Sequence, residues 1–490
     1  MTTPIARSRG DSSGGLFIKN ALVLVTNDAS RREIRNGAVI INGNVVEKVG
    51  STAELESHVN PKFRIIDLEN KAVLLPGFIS IHHHMLESLT RVYGTKDGIQ
   101  TLPWLERLVP LWSEVTGRDL YVATKVCLAE LMLSGSTTML DHCVGYWNDM
   151  KPDLQVQAAR EMRVRFHVTR GGNDVRDGSD GDALCEDTQD ILADARRVVA
   201  TFHDPHKYAM SRVALGTVAV SLASPALHRG FASIASSNPG VSVTTHLYEG
   251  GDEFELSMDE AGISPLERLL SDDLGGPPAV TPYILSHCVH TPPTEISLLA
   301  QHKLAVAHCP SSNAILGAGI APVRKFLQAG VTVGLGTDGS SSNDGNNLLG
   351  EIRQAMLFQR LGAAMDAGLG NSGDITFTAR QALELATLGS AAALGRDDIG
   401  QVSPGYAADL VAFRVDGLQH AGGSVWDPVA SLVVCSPVPC WLNVIDGVVC
   451  IQDGSFTTEV DVDVTTLVQE HNTIAAEIQN KVKAKGAYRP

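Results

Sequence analysis

At 490 residues the chain has room for about three ordinary domains, or for one barrel with insertions and an appendage. Its 39 Lys and Arg face 55 Asp and Glu, a net charge of −16, and an acidic surface does not gather phosphate backbones, which excludes general nucleic-acid binding. Hydrophobic residues at 44% and charged residues at 19% exclude a disordered chain, and no apolar run is long enough to span a bilayer.

Residues 1–15 lack the apolar stretch of a secretory signal and are expected to form a flexible tail. The eight cysteines are scattered, with no Cys-x-x-Cys pair, the usage expected of reduced thiols in a cytoplasmic protein. Residues 16–72 read as short strands broken by Gly and Asn, and Asn42-Gly43-Asn44 between β-branched runs predicts a hairpin. The same texture returns at 400–460, in ADLVAFRV and VIDGVVCIQDG. Neither piece has enough strands to bury a core alone, so the two are expected to pair into one composite β-sandwich. Between them, over 73–399, apolar strands alternate with helical stretches. Eight strand candidates appear: GFISIHHH, TTMLDH, VRFHVTR, RVALGT, VSVTTHL, PYILSH, LAVAHCP and VTVGLGTD. Eight such units close a (β/α)8 TIM barrel of the α/β class, whereas a doubly wound sheet would need a Gly-rich phosphate loop that is absent. Residues 461–490 are expected to form a terminal helix and polar tail.

Several candidate strands end in ionisable groups, and in a parallel barrel those ends share one face. In PGFISIHHH, His82 and His84 lie two apart and share a strand face, half of a site for zinc or iron. His246 ends the fifth candidate and is a third imidazole of the same kind. Glu249, three residues on, suits proton transfer, with a solvated loop glutamate as the alternative. Asp338 ends the eighth candidate, placed either to bind metal and take a proton from water or to stabilise the following turn. His287 is a fourth imidazole, suited to orienting water or polarising substrate.

Pro-Gly-Phe-x-x-x-His-x-His, His-x-x-Glu, Ser-His and Gly-x-Asp in this order resemble the amidohydrolase superfamily, in its cytosine/guanine/triazine aminohydrolase branch. Segments such as LPWLERLVPLWSEVT, HCPSSNAILGAGIAPVRKFLQAGV and GTDGSSSNDGNNLLGEIRQAMLFQR look most like 8-oxoguanine deaminase, isoxanthopterin deaminase and hydroxyatrazine aminohydrolase. The resemblance implies one divalent metal, zinc or alternatively iron, on His82, His84, His246 and Asp338, a proton shuttle at Glu249 and a hydrogen-bonding role for His287. It implies hydrolytic deamination of an aromatic N-heterocycle such as an oxidised purine or pterin. The alternatives are a triazine, alkylamine-ring or cyclic-amide hydrolase, a guanine deaminase, or a metal-free relative that is no enzyme. It also implies a homo-oligomer.

Three features depart from those relatives. Glu87 stands where Gln is common, GTVAVSLAS follows the fourth strand, and Asp-His-His becomes Asp141-His142-Cys143. Ionised Glu87 would accept hydrogen bonds from substrate donors. Arg170 is a candidate holder of a substrate carbonyl or carboxylate. Trp104 is a candidate stacking platform, or else core packing.

Overall fold

The computed structural model describes residues 15–176, 178–278, 281–368 and 375–488. The expected tail at 1–15 falls, Gly15 apart, outside the described residues. Seventeen strands occur among them. The N-terminal five are β1 (Leu16–Val25), β2 (Glu33–Asn42), β3 (Val45–Ser51), β4 (Arg64–Asp67) and β5 (Ala72–Pro76). Eight follow: β6 (Phe78–Ser80), β7 (Ser136–Asp141), β8 (Arg165–Gly171), β9 (Ser211–Ala219), β10 (Ser242–Leu247), β11 (Tyr283–His287), β12 (Ala305–His308) and β13 (Thr332–Leu335). The last four are β14 (Leu410–Arg414), β15 (Leu442–Ile445), β16 (Val448–Gln452) and β17 (Ser455–Phe456).

β6 to β13 form a closed parallel barrel, and each carries one of the eight segments read from sequence. Leu335 pairs with Ser80 to close the ring. The regular part of β6 stops at Ser80, so His82 and His84 lie just past it. The ladder nonetheless continues irregularly there: Ile81 N–H donates to Leu335 O, and Asp338 N–H to His82 O. This cross-strand register brings Asp338 beside the histidines.

The two chain ends share one nine-stranded mixed sheet, joined where β14 runs antiparallel to β5. The β2–β3 turn, with Gly43 at φ 61°, returns to this junction through a Val45–Ala407 bridge. The sheet thus encloses Ile18, Leu24, Val39, Leu74, Leu410 and Val444 between its two halves. Burial of these alternating apolar residues is what the isolated halves lack.

A dense ion-pair layer joins this sheet to the N-terminal end of the barrel. Arg165, fully buried at the start of β8, makes a bidentate contact with Asp409 at 2.8 and 2.9 Å and donates to Tyr208 O at 2.7 Å. Asp409 also accepts from Asp446 N, and Arg396 pairs with Asp398 at 2.7 and 2.8 Å.

The helix Val464–Ala484 buries Leu467, Ile474, Ile478 and Val482, spaced four and seven apart along one face. That face covers Leu86, Leu89, Trp104 and Trp112 in the segment after β6. His471 and Ser88 Oγ are hydrogen-bonded at 3.0 Å, tying this helix to the loop that follows His84. Among the described residues no helix is long and apolar enough to cross a membrane.

Candidate active site

The C-terminal strand ends gather six of the sequence-predicted site residues around one point. His84 Nε2 lies 3.2 Å from His246 Nε2 and 3.4 Å from Asp338 Oδ1, and His82 Nε2 lies 3.2 Å from the same oxygen. His287 Nε2 lies 4.0 Å from Asp338 Oδ2 and 3.9 Å from Glu249 Oε1.

The tautomers follow from the outer partners. A carbonyl oxygen only accepts, so the nitrogen facing it carries the proton. His84 Nδ1 faces His142 O at 2.6 Å, and His246 Nδ1 faces Val218 O. Both rings therefore turn unprotonated Nε2 atoms toward each other at 3.2 Å. Two lone pairs held face to face repel unless a cation lies between them. His82 Nδ1 is engaged by Ser286 Oγ at 2.8 Å, and its Nε2 is buried without a hydrogen-bond partner. Tetrahedral bonds of 2.0–2.1 Å have edges of about 3.3 Å, close to the observed spacings. The donor set of three neutral imidazoles and one carboxylate, each steadied from behind, thus fits a divalent metal. His82, His142 and His246, and separately His82, His287 and Asp338, present nitrogen and oxygen atoms within 4.8 Å of one another.

The electrostatics agree. Burial pulls His82, His84 and His246 below the ordinary histidine range, His84 to about 3, so they are neutral donors. Burial opposes ionisation of Asp338, but the imidazoles of His82, His287 and His84 outweigh it and hold the carboxyl well below its usual range. Burial likewise opposes protonation of His287, yet the Glu249 and Asp338 carboxylates raise its pKa, with Asn313 Oδ1 accepting from Nδ1 at 2.9 Å. Glu249 is pushed up by burial, with His287 pulling the other way. Asp338 is thus held ionised beside a coupled pair, Glu249 and His287, both of which are shifted up.

The backbone is bent to make this arrangement. Tyr248, His287 and Asp338 adopt φ of 56°, 72° and 60°, the left-handed region that non-glycine residues avoid. Gly336 lets the eighth strand approach the first, since a Cβ there would lie 2.7 Å from His82 Cβ. Gly339 admits Glu87, whose Oε2 would lie 1.8 Å from an added Cβ.

The three residues expected to read substrate have different surroundings. Glu87 is buried at this loop and accepts from Ser341 N at 3.3 Å. Burial first, then the Asp338 charge, push its carboxyl well above the usual range. The expectation of an ionised acceptor is thus revised: a carboxyl biased toward protonation offers a donor and an acceptor, as a Gln does. Arg170 corrects its expectation. Its guanidinium is committed to Glu186 at 2.7 and 3.1 Å, to Asp194 at 2.8 Å and to Gly171 O, leaving it a brace between loop and helix. Trp104 donates its indole N–H to Ser341 O at 2.8 Å and meets Trp112 edge-on, the geometry of core packing beneath the loop.

The sequence reading gives His142, one of the ionisable strand-end residues, no metal or catalytic role, the departure beside it being Cys143. Here His142 stacks on His246, with ring centroids 4.8 Å apart, and its Nδ1 is buried without a partner. Its place at the end of β7 was the available signal. His83, whose ring Nδ1 meets Asp338 O, Ser286 and Asn313 had none, because their contacts cross from one strand end to another.

The pattern of the amidohydrolase family matches residues 73–437. The chain belongs to that family. It is 32% identical to an 8-oxoguanine deaminase of Pseudomonas aeruginosa over 467 residues, covering 94% of this chain and 98% of that protein. An isoxanthopterin deaminase from an unknown prokaryotic organism is 31% identical, with 84% and 87% covered. Among solved structures, the atrazine chlorohydrolase TrzN of Arthrobacter aurescens TC1 complexed with zinc superposes with a TM-score of 0.84 at 29% identity, covering 94% of this chain and all of that one. As an amidohydrolase the chain is a hydrolase acting on carbon–nitrogen bonds.

Proposed function

We propose that this amidohydrolase removes an exocyclic amino group from an aromatic N-heterocycle, an oxidised purine such as 8-oxoguanine or a pterin, as ammonia. The observation that carries the reading is the pair of opposed lone pairs on His84 and His246 beside Asp338, with Glu249 and His287 adjoining. The relatives that deaminate 8-oxoguanine and isoxanthopterin support the substrate class.

His82, His84, His246 and Asp338 would hold one divalent ion, with zinc favoured by the zinc-containing neighbour. When bound, such an ion lowers the pKa of water from 15.7 to about 7. The protein's groups divide the remaining work. Asp338 Oδ2, to which Ser342 Oγ donates at 3.0 Å, takes the proton of the attacking water. The water oxygen bonds to the ring carbon bearing the amine. Glu249 gives its proton to the adjacent ring nitrogen, so the ring gains no net charge during attack. Imidazolium at His287 donates to the oxygen as charge builds there. The proton on Asp338 then passes to the amine, the hydroxyl proton returns to Glu249, the C–N bond breaks with its electron pair leaving on nitrogen, and ammonia departs. The carbon is left as a carbonyl.

Glu87 in its donor–acceptor form is assigned to the substrate's polar edge. We also read residues 16–72 with 400–460 as one module against a barrel spanning 73–399, and the enzyme as a cytoplasmic homo-oligomer. A second reading, displacement of an alkylamine or chloride from a triazine, is favoured by the structural likeness to the chlorohydrolase.

The deciding experiment incubates the zinc-loaded protein with 8-oxoguanine, isoxanthopterin, guanine, cytosine, adenosine and s-triazines, scoring ammonia, alkylamine and chloride. Ammonia from an oxidised purine or pterin is the expected result. Chloride or alkylamine release alone overturns it in favour of the second reading.

A further inference from the structure

We infer that Glu351 is a positioning residue that sets the separation of Asp338 from His287; its kinetic consequence rests on the deaminase reading above. Glu351 lies in the first turn of the helix Leu348–Asp366 and is only 2% exposed. The helix N-terminus favours a negative charge there, burial pushes the carboxyl up to about 7, and the hydrogen bonds from Ser311 and Asn343 pull it back toward the ionised form. Both oxygens are used, and each holds a different catalytic loop. Oε2 accepts from Ser311 N at 3.0 Å, and Oε1 accepts from Asn343 Nδ2 at 3.0 Å.

The first tie leads to His287. Ser311 belongs to the short helix Pro310–Ile315, and Asn313 of that helix accepts the Nδ1 proton of His287 at 2.9 Å. The second leads to Asp338. The amide of Asn343 also donates to Thr337 O, the residue before Asp338, whose own backbone is held in the left-handed region at φ 60°. One carboxylate thus bridges the loops after β12 and β13, and the two proton-handling groups 4.0 Å apart hang from its two ends. It touches neither of them.

A Gln at 351 keeps the shape but offers one acceptor and one donor to two donors, so one tie must fail. The test makes Glu351→Gln and Asn343→Ala in the full-length, zinc-loaded protein. Both are expected to retain metal and fold. On whichever heterocycle the wild type deaminates, kcat should fall on the order of 10- to 100-fold with KM changed less than about twofold, as expected for small misplacement of reacting groups. In 15N-histidine NMR spectra the His287 ring signal, assigned by its loss in His287→Asn, should move in both variants while that of His84 stays. Unchanged kcat with an unmoved His287 signal overturns the inference, as does activity lost only in proportion to lost metal. If the wild type deaminates nothing on the panel, the functional reading falls, and the His287 signal still decides this one. If Glu351→Gln does not fold, Asn343→Ala, at a half-buried position, decides by the same two readouts.

Discussion

Both ends of the barrel are buried and rich in ionisable groups, yet they are built on opposite terms. At the N-terminal end Arg165, Asp409, Arg396 and Asp398 answer one another with bidentate contacts at 2.7–2.9 Å. At the C-terminal end His84 and His246 turn unprotonated nitrogens on each other, and His82 Nε2 and His142 Nδ1 find no partner. A satisfied network holds a structure together, whereas a set of aligned but unanswered donors is arranged for something that arrives. Unpartnered buried atoms also occur elsewhere in the barrel, on His167 and Arg212, but among the described residues it is at the mouth that imidazole nitrogens converge on a carboxylate.

That comparison can be broken most severely at the mouth. His84→Ala should reduce bound zinc, read by mass spectrometry, far below one per chain and lower kcat on the order of 1,000-fold or more, since the lost Lewis acid is worth several kcal/mol. Full activity without metal would refute the assignment. Next, Glu249→Gln should keep the metal and lower kcat by about 10²–10⁴, the range of a general acid–base group. Equal loss of metal would make Glu249 a ligand instead.

At the floor the effect should move from activity to stability. Burial alone would raise Asp398, but the Arg396 guanidinium and the Tyr208 N–H outweigh it and hold the carboxyl below its usual range. A depressed folded-state pKa contributes stability above the unfolded value near 3.9, and that contribution is lost as pH falls through the lower folded value. Asp398→Asn should therefore cost about 3–5 kcal/mol at neutral pH, as breaking a buried pair does, and progressively less below about pH 4. Denaturant unfolding at several pH values checks this, with kcat of the folded fraction expected to be unchanged. The smallest effect is expected from Glu87→Gln. If the carboxyl is protonated in use, kcat/KM on purines and pterins should change by no more than about threefold, with their ranking preserved. A reversed ranking would show that an ionised carboxylate reads the substrate.

The strands and the chemistry were legible in sequence for a simple reason. A barrel strand repeats an apolar pattern within a few residues, and its C-terminal end carries the ionisable group, so GFISIHHH, VSVTTHL and VTVGLGTD each display both on one short segment. The composite sheet was legible for a related reason, since neither terminal piece could bury a core alone. Arg170 misled because a strand-end arginine looks the same whether it faces a ligand or, as here, Glu186 and Asp194. The upward shift of Glu87 was not legible, because it depends on burial and on Asp338, which lies 251 residues along the chain.

By itself, then, the order of residues determined which groups could bind a metal and move protons, because side-chain chemistry and strand alternation are local properties. Only the closed barrel decided which nitrogen of each histidine is left bare, which carboxyl stays ionised and which arginine is already taken. Those states are set by His142 O behind His84, Val218 O behind His246 and Glu186 beside Arg170, and it is ring closure and loop packing that bring such partners together.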